Sequence, residues 1–168
     1  MTSDKGLLAG GIDPSLTTVT ARAGFYKFEE GIYEPLPVML QPRYSHSALL
    51  IEPNGVMVIG GRTFGKDPDC ILDSCEFYDF SKKVWRPISP LNRARCLFEV
   101  LIWENRPYVF GGLTERGTTT DSIEVYEDSI GNWRELDIHL PTPLDSFRII
   151  PAEKNHRIVI LGGRVDGV

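Results

Sequence analysis

The sequence is poor in the residues that build most metal and redox sites. It contains three cysteines and three histidines among 168 residues. Four residues separate Cys70 from Cys75, which is a poor spacing for half of a zinc site, and no second cysteine or histidine pair completes the ligand set. We therefore predict that the protein binds no metal and no cofactor. An odd cysteine count, with no apolar secretion signal near Met1, predicts a reducing, cytoplasmic location.

Excess positive charge and long apolar runs are lacking as well. The net charge of −5 and the pI near 5.2 argue against binding to nucleic acid or to anionic membranes. No apolar stretch approaches the roughly 20 residues that span a bilayer. The hydrophobic fraction of 42% and the charged fraction of 24% are ordinary for a globular domain, and 16 glycines with 12 prolines suit many strands and tight turns.

The sequence does contain a Gly-Gly doublet that recurs at a nearly constant interval. The four doublets are Gly10-Gly11, Gly60-Gly61, Gly111-Gly112 and Gly162-Gly163, at intervals of 50, 51 and 51 residues. Each doublet closes a short apolar run, and a fixed period of this size is the signature of a repeat architecture. A glycine pair indicates a strand end where the backbone conformation, or the close approach of a neighbour, excludes a Cβ atom.

A second landmark keeps the same period. Three aromatic pairs, each seven residues apart, are Tyr26 with Tyr33, Tyr78 with Trp85, and Tyr126 with Trp133. Around them, polar and apolar residues partly alternate, and turn residues separate the runs, which predicts antiparallel strands joined by hairpins. We expect the aromatic pairs and the glycine doublets to have structural roles, with the large rings packing between neighbouring sheets.

The combined pattern of apolar run, Gly-Gly, tyrosine and tryptophan resembles the kelch repeat. This resemblance implies an all-β fold, a β-propeller of four-stranded antiparallel blades. We predict one kelch-repeat domain over residues 1–168, with about three blades. Its parts are a partial blade of outer strands at 7–42, blades at 43–92 and 93–143, and a partial blade of inner strands at 144–168. Tyr33 replaces the usual tryptophan, and the unit that opens at Asp145 lacks the usual arginine.

About three blades are too few for a closed ring, since closed propellers typically have four to eight. Two interpretations follow. The chain is a partial propeller that belongs to a longer protein, or it is half of a six-bladed ring closed by a homodimer. In the ring, each chain would give its C-terminal inner strands to the N-terminal outer strands of its partner. Residues 7–11 and 158–163 offer the same strand twice, and this overlap slightly favours the partial propeller.

Arginines concentrate on one predicted rim. In an antiparallel meander, the loop after each doublet and the connection to the next blade emerge on the same side. Eight residues there are candidates for partner binding: Arg43, Tyr44, Arg62, Phe64, Arg93, Arg95, Arg116 and Arg164. Arginine forks recognise carboxylates and stack on aromatic rings, which predicts a partner protein with an acidic peptide or loop. The alternative is that Arg43 and Arg93 are structural, as the resemblance implies, and that others pair with Asp67, Asp69 or Glu115.

The resemblance also leaves an enzyme to be considered. Some kelch-type propellers are oxidases or sugar-acid epimerases, and His46 and Asp145 could both face a central channel. A copper site would need several converging histidines and tyrosines, whereas His46, His139 and His156 are scattered, and no catalytic motif is present. We therefore predict a non-enzymatic interaction module. Family analogy implies a ubiquitin-ligase substrate adaptor or a cytoskeletal, actin-binding scaffold, although no segment resembles a BTB or F-box domain.

Overall fold

The computed structural model describes residues 5–13, 15, 17–65, 70–152 and 157–165. These residues form strands, turns and loops, with no α-helix among them. Accordingly, the described part of the chain contains no helix that is long and apolar enough to cross a membrane. The all-β fold expected from the repeat pattern is confirmed.

The strands follow one another along the chain in four main sheets. The first sheet consists of β1 (Lys5–Ala9), β4 (Ala23–Lys27) and β5 (Ile32–Pro35). A short hairpin of β2 (Ile12–Asp13) and β3 (Thr18–Val19) falls between β1 and β4 in the sequence. The second sheet consists of β6 (Ser47–Ile51), β7 (Gly55–Ile59), β8 (Cys75–Asp79) and β9 (Val84–Ile88). Every pairing is antiparallel, and the strand order in each of these sheets is the chain order.

The second half repeats this arrangement. A short pair is formed by β10 (Arg95–Cys96) and β13 (Leu113–Thr114). The third sheet consists of β11 (Glu99–Trp103), β12 (Arg106–Phe110), β14 (Ser122–Glu127) and β15 (Asn132–His139). The fourth sheet consists of β16 (Asp145–Ala152) and β17 (Arg157–Arg164). The second and third sheets are therefore complete four-stranded meanders, flanked by a sheet of three strands and a sheet of two.

The aromatic pairs are cross-strand neighbours. Tyr78 lies opposite Trp85 and Tyr126 lies opposite Trp133, with ring centroids 5.1 and 5.2 Å apart. Both tryptophans are buried between sheets. A spacing of seven residues therefore corresponds to one strand, a tight turn and the return strand, which brings the two rings side by side on one face.

The apolar run before each doublet is continuous because its strand is buried on both faces. In β7, Val56 and Val58 pack toward the first sheet, whereas Met57 and Ile59 pack toward the third. Successive residues of a strand point to opposite faces, so a strand between two other sheets needs apolar residues at every position. Hydrophobic clusters of this kind fill each of the three interfaces between successive sheets.

The glycine doublets lie where neighbouring strands come closest. Gly60 and Gly61 have φ angles of +53° and +96°, a region that side chains disfavour. A Cβ atom on Gly60 would lie 2.8 Å from the carbonyl oxygen of Arg95, and one on Gly61 would lie 2.6 Å from Cβ of His46. The doublet therefore accommodates the backbone of the next sheet on one side and a side chain of its own sheet on the other.

One aromatic position recurs against these doublets. It is occupied by His46, Phe98 and Phe147 in the second, third and fourth sheets. In each case the ring lies over the first glycine of the preceding doublet, and the Cβ atom lies against the second glycine of its own sheet. Through this ring, each of these sheets packs against the sheet before it.

Backbone hydrogen bonds link the same three sheets at the residue just before this ring. The Leu97 N–H donates to the Ser45 carbonyl at 3.0 Å, and the Ser146 N–H donates to the Leu97 carbonyl at 2.9 Å. All three residues have positive φ angles, between 50° and 56°. The first bond thus connects the second sheet to the third, and the second bond connects the third sheet to the fourth.

Candidate binding rim

Two of the predicted rim arginines are buried, and for these the prediction of partner binding is wrong. Arg43 and Arg95 are fully buried. Arg43 Nη2 donates to Glu76 Oε1 at 2.7 Å, and Arg95 Nη2 donates to Glu124 Oε1 at 2.7 Å. Each guanidinium also donates to the carbonyl of the first glycine in the doublet of its own sheet. We call each of these ion pairs an arginine–glutamate clamp.

Each clamp also holds the chain that enters its sheet. Glu76 accepts the backbone N–H groups of Leu40 and Gln41, at 2.6 and 3.0 Å. Glu124 accepts the Asn92 N–H at 2.8 Å. Burial lowers the pKa of Arg95, and the Glu124 carboxylate opposes that shift. The buried charges are therefore paired and hydrogen-bonded, as an apolar interior requires.

The structural arginine of the third sheet is Arg95 rather than Arg93. Arg93 is exposed and donates through Nε to Glu135 Oε2 at 3.2 Å. The two arginines are only two residues apart, and both lie close to one period from Arg43, so the spacing alone did not distinguish them.

Three cross-strand pairs form the rim. Each pair joins the residue after Arg43, Arg95 or Leu144 to the residue after a glycine doublet. The pairs are Tyr44 with Arg62, Cys96 with Leu113, and Asp145 with Arg164. We call them the rim bridges. Tyr44 and Arg62 exchange two backbone hydrogen bonds of 2.9 Å. Loops after the doublets and connections between sheets therefore do meet at one edge of each sheet.

The first and third rim bridges each present a guanidinium group. The Arg62 guanidinium carbon lies 5.7 Å from the centroid of the Tyr44 ring, and its Nε atom is buried with no hydrogen-bond partner among the described residues. Arg164 donates from Nη2 and Nε to Asp145 Oδ2, at 2.9 and 3.2 Å. Asp145 is fully buried, whereas more than half of the Arg164 side chain is exposed. One guanidinium is therefore held by a ring and the other by a carboxylate.

Cys96 lies among these charges. Burial raises the pKa of the Cys96 thiol to about 11, and the charges of Arg62, Asp145 and Arg164 also act on it. At neutral pH the thiol is protonated and is therefore a poor nucleophile. The second rim bridge is thus neutral and lies near two arginines, and this arrangement can hold a carboxylate.

The other rim candidates are placed less centrally. Phe64 is exposed on the loop that follows the second doublet, and Arg116 is exposed on the loop that follows β13. Arg93 is directed toward Glu135 of β15. Asp67 and Asp69, the expected carboxylate partners on the Phe64 loop, lie outside the described residues. The rim bridges therefore bring together Tyr44, Arg62 and Arg164 from the predicted set.

His46 packs between sheets, over Gly10, and also lines a cavity beside Leu97 and Phe98. Burial and the charge of Arg43 lower the pKa of His46 to about 4, while a hydrogen bond with the Ala9 backbone opposes the shift. His139 lies 3.4 Å from Asp121, and His156 lies outside the described residues. Within residues 5–13, 15, 17–65, 70–152 and 157–165, no three metal-binding side chains come together.

Sequence reasoning missed the clamp glutamates. Glu76 and Glu124 were visible only as polar residues in alternating strands. Each stands two residues before the tyrosine of an aromatic pair, in Glu76-Phe77-Tyr78 and Glu124-Val125-Tyr126. A charged residue repeated inside an otherwise buried strand is a signal for a buried ion pair, because an unpaired charge there would be too costly.

Comparison with known proteins gives the same assignment as the fold. No protein-family model matches the chain. Kelch-like protein 40 of Mus musculus is 34% identical over 110 residues, which are 66% of this chain and 16% of that protein. Kelch-like protein 41 of Mus musculus is 29% identical over 154 residues, or 90% and 25% of the two chains. Kelch-like protein 33 of Homo sapiens is 28% identical over 109 residues, or 64% and 20%.

Consecutive antiparallel meanders, keyed by glycine doublets and paired aromatics, define a β-propeller of kelch type. The chain belongs to the kelch-repeat family. It spans between 16% and 25% of the length of these three relatives.

Proposed function

We propose that the chain is a protein-interaction module whose rim binds an acidic segment of a partner protein. The observation that carries this proposal is the pair of arginines at the first and third rim bridges, on either side of the neutral Cys96 bridge. Both guanidinium groups lie at the same edge of their sheets, in a chain of net charge −5.

The geometry suits a carboxylate of a peptide side chain. Arg62 is oriented by Tyr44, whose ring centroid lies 5.7 Å from the guanidinium carbon, and Arg62 remains partly exposed. Asp145 accepts hydrogen bonds from Nε and Nη2 of the Arg164 guanidinium, while more than half of the Arg164 side chain remains exposed. Arginine and carboxylate groups form paired, charge-assisted hydrogen bonds, which give direction as well as affinity.

We also propose the cellular setting of this binding. Recruitment of a client to a ubiquitin ligase, or scaffolding on actin, are the two roles that family analogy offers. A cytoplasmic location is in keeping with three buried cysteines that are all unpaired. In this proposal the chain binds its partner without catalysing a reaction.

The experiment is selection from a phage-displayed library of random 12-residue peptides, followed by measurement of the dissociation constant of the best peptide by fluorescence polarisation. We expect the selected peptides to be enriched in Asp and Glu. The double substitution Arg62→Glu with Arg164→Glu should weaken binding at least tenfold, because both contacts become repulsive.

Arg134→Glu is the matched control, since Arg134 is an exposed arginine that pairs with Glu127 on the outer strands. This variant should bind the peptide as the unmodified chain does. Full retention of binding by the double variant would remove the rim hypothesis. Selection of basic or purely apolar peptides would contradict the acidic partner.

A further inference from the structure

A groove lies between the second and third sheets, at the edge of the sheets opposite the rim bridges. Two adjoining cavities of about 440 and 480 Å³ form it, and they share four lining residues: Ile51, Asn54, Met57 and Asp128. Both volumes lie within the range of about 300–1,000 Å³ that is usual for ligand sites. The two sheets that border the groove each contain all four strands of the repeat, so the groove is a feature of this internal interface.

The groove combines an apolar lining with charges that are mainly negative. Its apolar and aromatic lining comes from both sheets and includes Ile51, Met57, Phe77 and Tyr126. Four charged side chains line it as well, and all but the last are carboxylates: Glu52, Asp79, Asp128 and Arg86. Asp79 is engaged in its own turn, where Oδ1 accepts the N–H groups of Ser81 and Lys82. Glu52 and Asp128 are exposed and form no ion pair with another described residue.

Asp128 stands at a position where the repeat elsewhere has phenylalanine. This position is the second residue after the tyrosine of each aromatic pair, and it holds Phe28, Phe80 and Asp128 in the first, second and third sheets. In the second sheet, the centroid of the Phe80 ring lies 6.0 Å from the centroids of Phe25 and Tyr78. The Phe80 ring therefore packs across the interface between the first and second sheets.

In the third sheet the same position lines the groove instead. Asp128, Phe77 and Tyr126 line one cavity together, and the two rings correspond in the repeat to Phe25 and Tyr78. Burial and the charge of Asp128 raise the pKa of Tyr126, so this carboxylate acts directly on the lining of the groove. A carboxylate is shorter than a phenyl ring. The exchange therefore leaves space beside Phe77 and adds a negative charge to it.

The lining already holds one cation on an aromatic ring. The guanidinium carbon of Arg86 lies 4.8 Å from the centroid of the Phe77 ring, within the range of cation–π contacts. The one guanidinium of the groove is thus placed on a ring of its own sheet, while Glu52 and Asp128 stay without ion pairs among the described residues. The groove therefore offers a further cation both aromatic surface and carboxylate.

We propose that this groove binds a basic segment of a partner protein, with a lysine or arginine at Asp128 and an adjacent apolar side chain against Ile51 and Met57. The stem of a lysine or arginine is apolar, so one such side chain covers apolar lining while its charged end reaches the carboxylate. Charge complementarity selects this occupant. The rim bridges present arginines at the opposite edge, so the two surfaces favour segments of opposite charge and do not depend on each other.

The experiment is selection on the unmodified chain from a phage-displayed library of random 12-residue peptides that has first been depleted on the Asp128→Phe variant. This variant installs the ring that the second sheet has at the position, so it loses the carboxylate and fills the space while it keeps the rim. Peptides that bind the rim are thereby removed. We expect the remaining peptides to be enriched in lysine and arginine beside apolar residues. Remaining peptides that are acidic or uncharged, or the absence of any, would overturn the proposal.

Asp128→Asn then separates charge from shape, because it removes the negative charge and leaves the groove open. Fluorescence polarisation of the best labelled peptide should show about tenfold weaker binding to this variant, since a charge-assisted hydrogen bond is lost. Binding to the unmodified chain should also weaken as salt is added. Thermal melting verifies that both Asp128 variants fold. Unchanged binding by a folded Asp128→Asn variant would contradict the placement of the cation.

The matched control is Asp137→Asn, since Asp137 is an exposed carboxylate on β15 that lines neither cavity. It removes the same charge and should bind the peptide as the unmodified chain does. Equal weakening by Asp137→Asn and Asp128→Asn would mean that only the net charge matters, and the groove would be wrong. The rim variant Arg62→Glu with Arg164→Glu should retain the basic peptide, so this outcome is independent of the result with acidic peptides.

Discussion

The two middle sheets and the two terminal sheets are built from one repeat but are secured differently. The second and third sheets each contain an arginine–glutamate clamp and are covered on both faces. The first sheet has Gly24 at the position of the clamp glutamate, and the fourth has Leu144 at the position of the clamp arginine. All four sheets therefore share the glycine doublet, whereas only the middle two combine a buried ion pair with apolar packing on both faces.

This contrast predicts an uneven distribution of stability. Opening of a region is easiest where few apolar contacts are buried and where backbone hydrogen bonds face water. We expect amide exchange to be slowest in β7 and β12, which are central strands, and fastest in β1 and β17.

The largest effect should follow removal of one clamp partner. Arg95→Ala leaves the Glu124 carboxylate buried without its counter-charge, which costs about 3–5 kcal/mol in comparable cases. Urea unfolding measures the loss. Adding Glu124→Leu should restore much of the stability, although the Asn92 N–H then loses its acceptor, at a cost of about 1 kcal/mol.

The exposed pair of Arg134 with Glu127 is the matched control for the clamp. Its donor–acceptor distance of 2.6 Å is similar to that of the clamp, but its side chains are in contact with solvent. Arg134→Ala should therefore cost less than about 1 kcal/mol. Equal losses for Arg134→Ala and Arg95→Ala would mean that burial does not determine how much an ion pair of the third sheet contributes to stability.

The aromatic pairs should show the same contrast with a comparable or slightly smaller effect. Trp133→Ala removes a buried ring between the second and third sheets, and we expect a loss of about 3–5 kcal/mol in the free energy of unfolding. Tyr33→Ala, at the equivalent position of the uncovered first sheet, should cost about 1 kcal/mol. A neutral Trp133→Ala would show that the register of the third sheet is wrong.

An effect smaller than the loss of a clamp partner or of a buried tryptophan is the acid sensitivity of the interface between the first and second sheets. His46 occupies a position that holds phenylalanine in the next two sheets, and its pKa is lowered to about 4. The fold thus favours the neutral imidazole, so its contribution is present above the ordinary histidine pKa near 6.5 and is lost as pH falls toward 4. The free energy of unfolding that is lost in this way as pH falls is on the order of 2–3 kcal/mol.

His46→Phe tests this directly, since it installs the side chain that the repeat uses elsewhere. Urea unfolding at pH 7, 5.5 and 4.5 should show that the unmodified chain loses more stability than the variant at acid pH. The comparison removes contributions from carboxylates, which are common to both proteins. Parallel pH profiles would contradict a buried neutral imidazole.

Much of the fold could be predicted because the repeat encodes it four times. The doublets located the strand ends, and the pair of Tyr78 with Trp85 located a hairpin, since both landmarks depend on local backbone geometry. Four-stranded antiparallel blades were expected, and the second sheet (β6–β9) and the third sheet (β11, β12, β14 and β15) confirm this.

The rim was less predictable because exposure depends on contacts far along the chain. Arg43 and Arg95 are adjacent in sequence to loop residues, yet both are buried. Their ion-pair partners, Glu76 and Glu124, lie 33 and 29 residues away in the sequence. Likewise, nothing in the sequence near Cys96 indicates that Arg62 and Asp145 approach it. Only the stacking of sheets brings these residues together.

The ring of each sheet reaches back to the doublet of the sheet before it, and this has a consequence for the order of synthesis. When Phe98 leaves the ribosome, Gly60 has already been made, and Gly111 likewise precedes Phe147. The glycine doublet against which each new ring packs is therefore already made when the ring leaves the ribosome. We expect the chain to fold sheet by sheet from its N-terminus as it is translated, with each new sheet packing on the sheet before it.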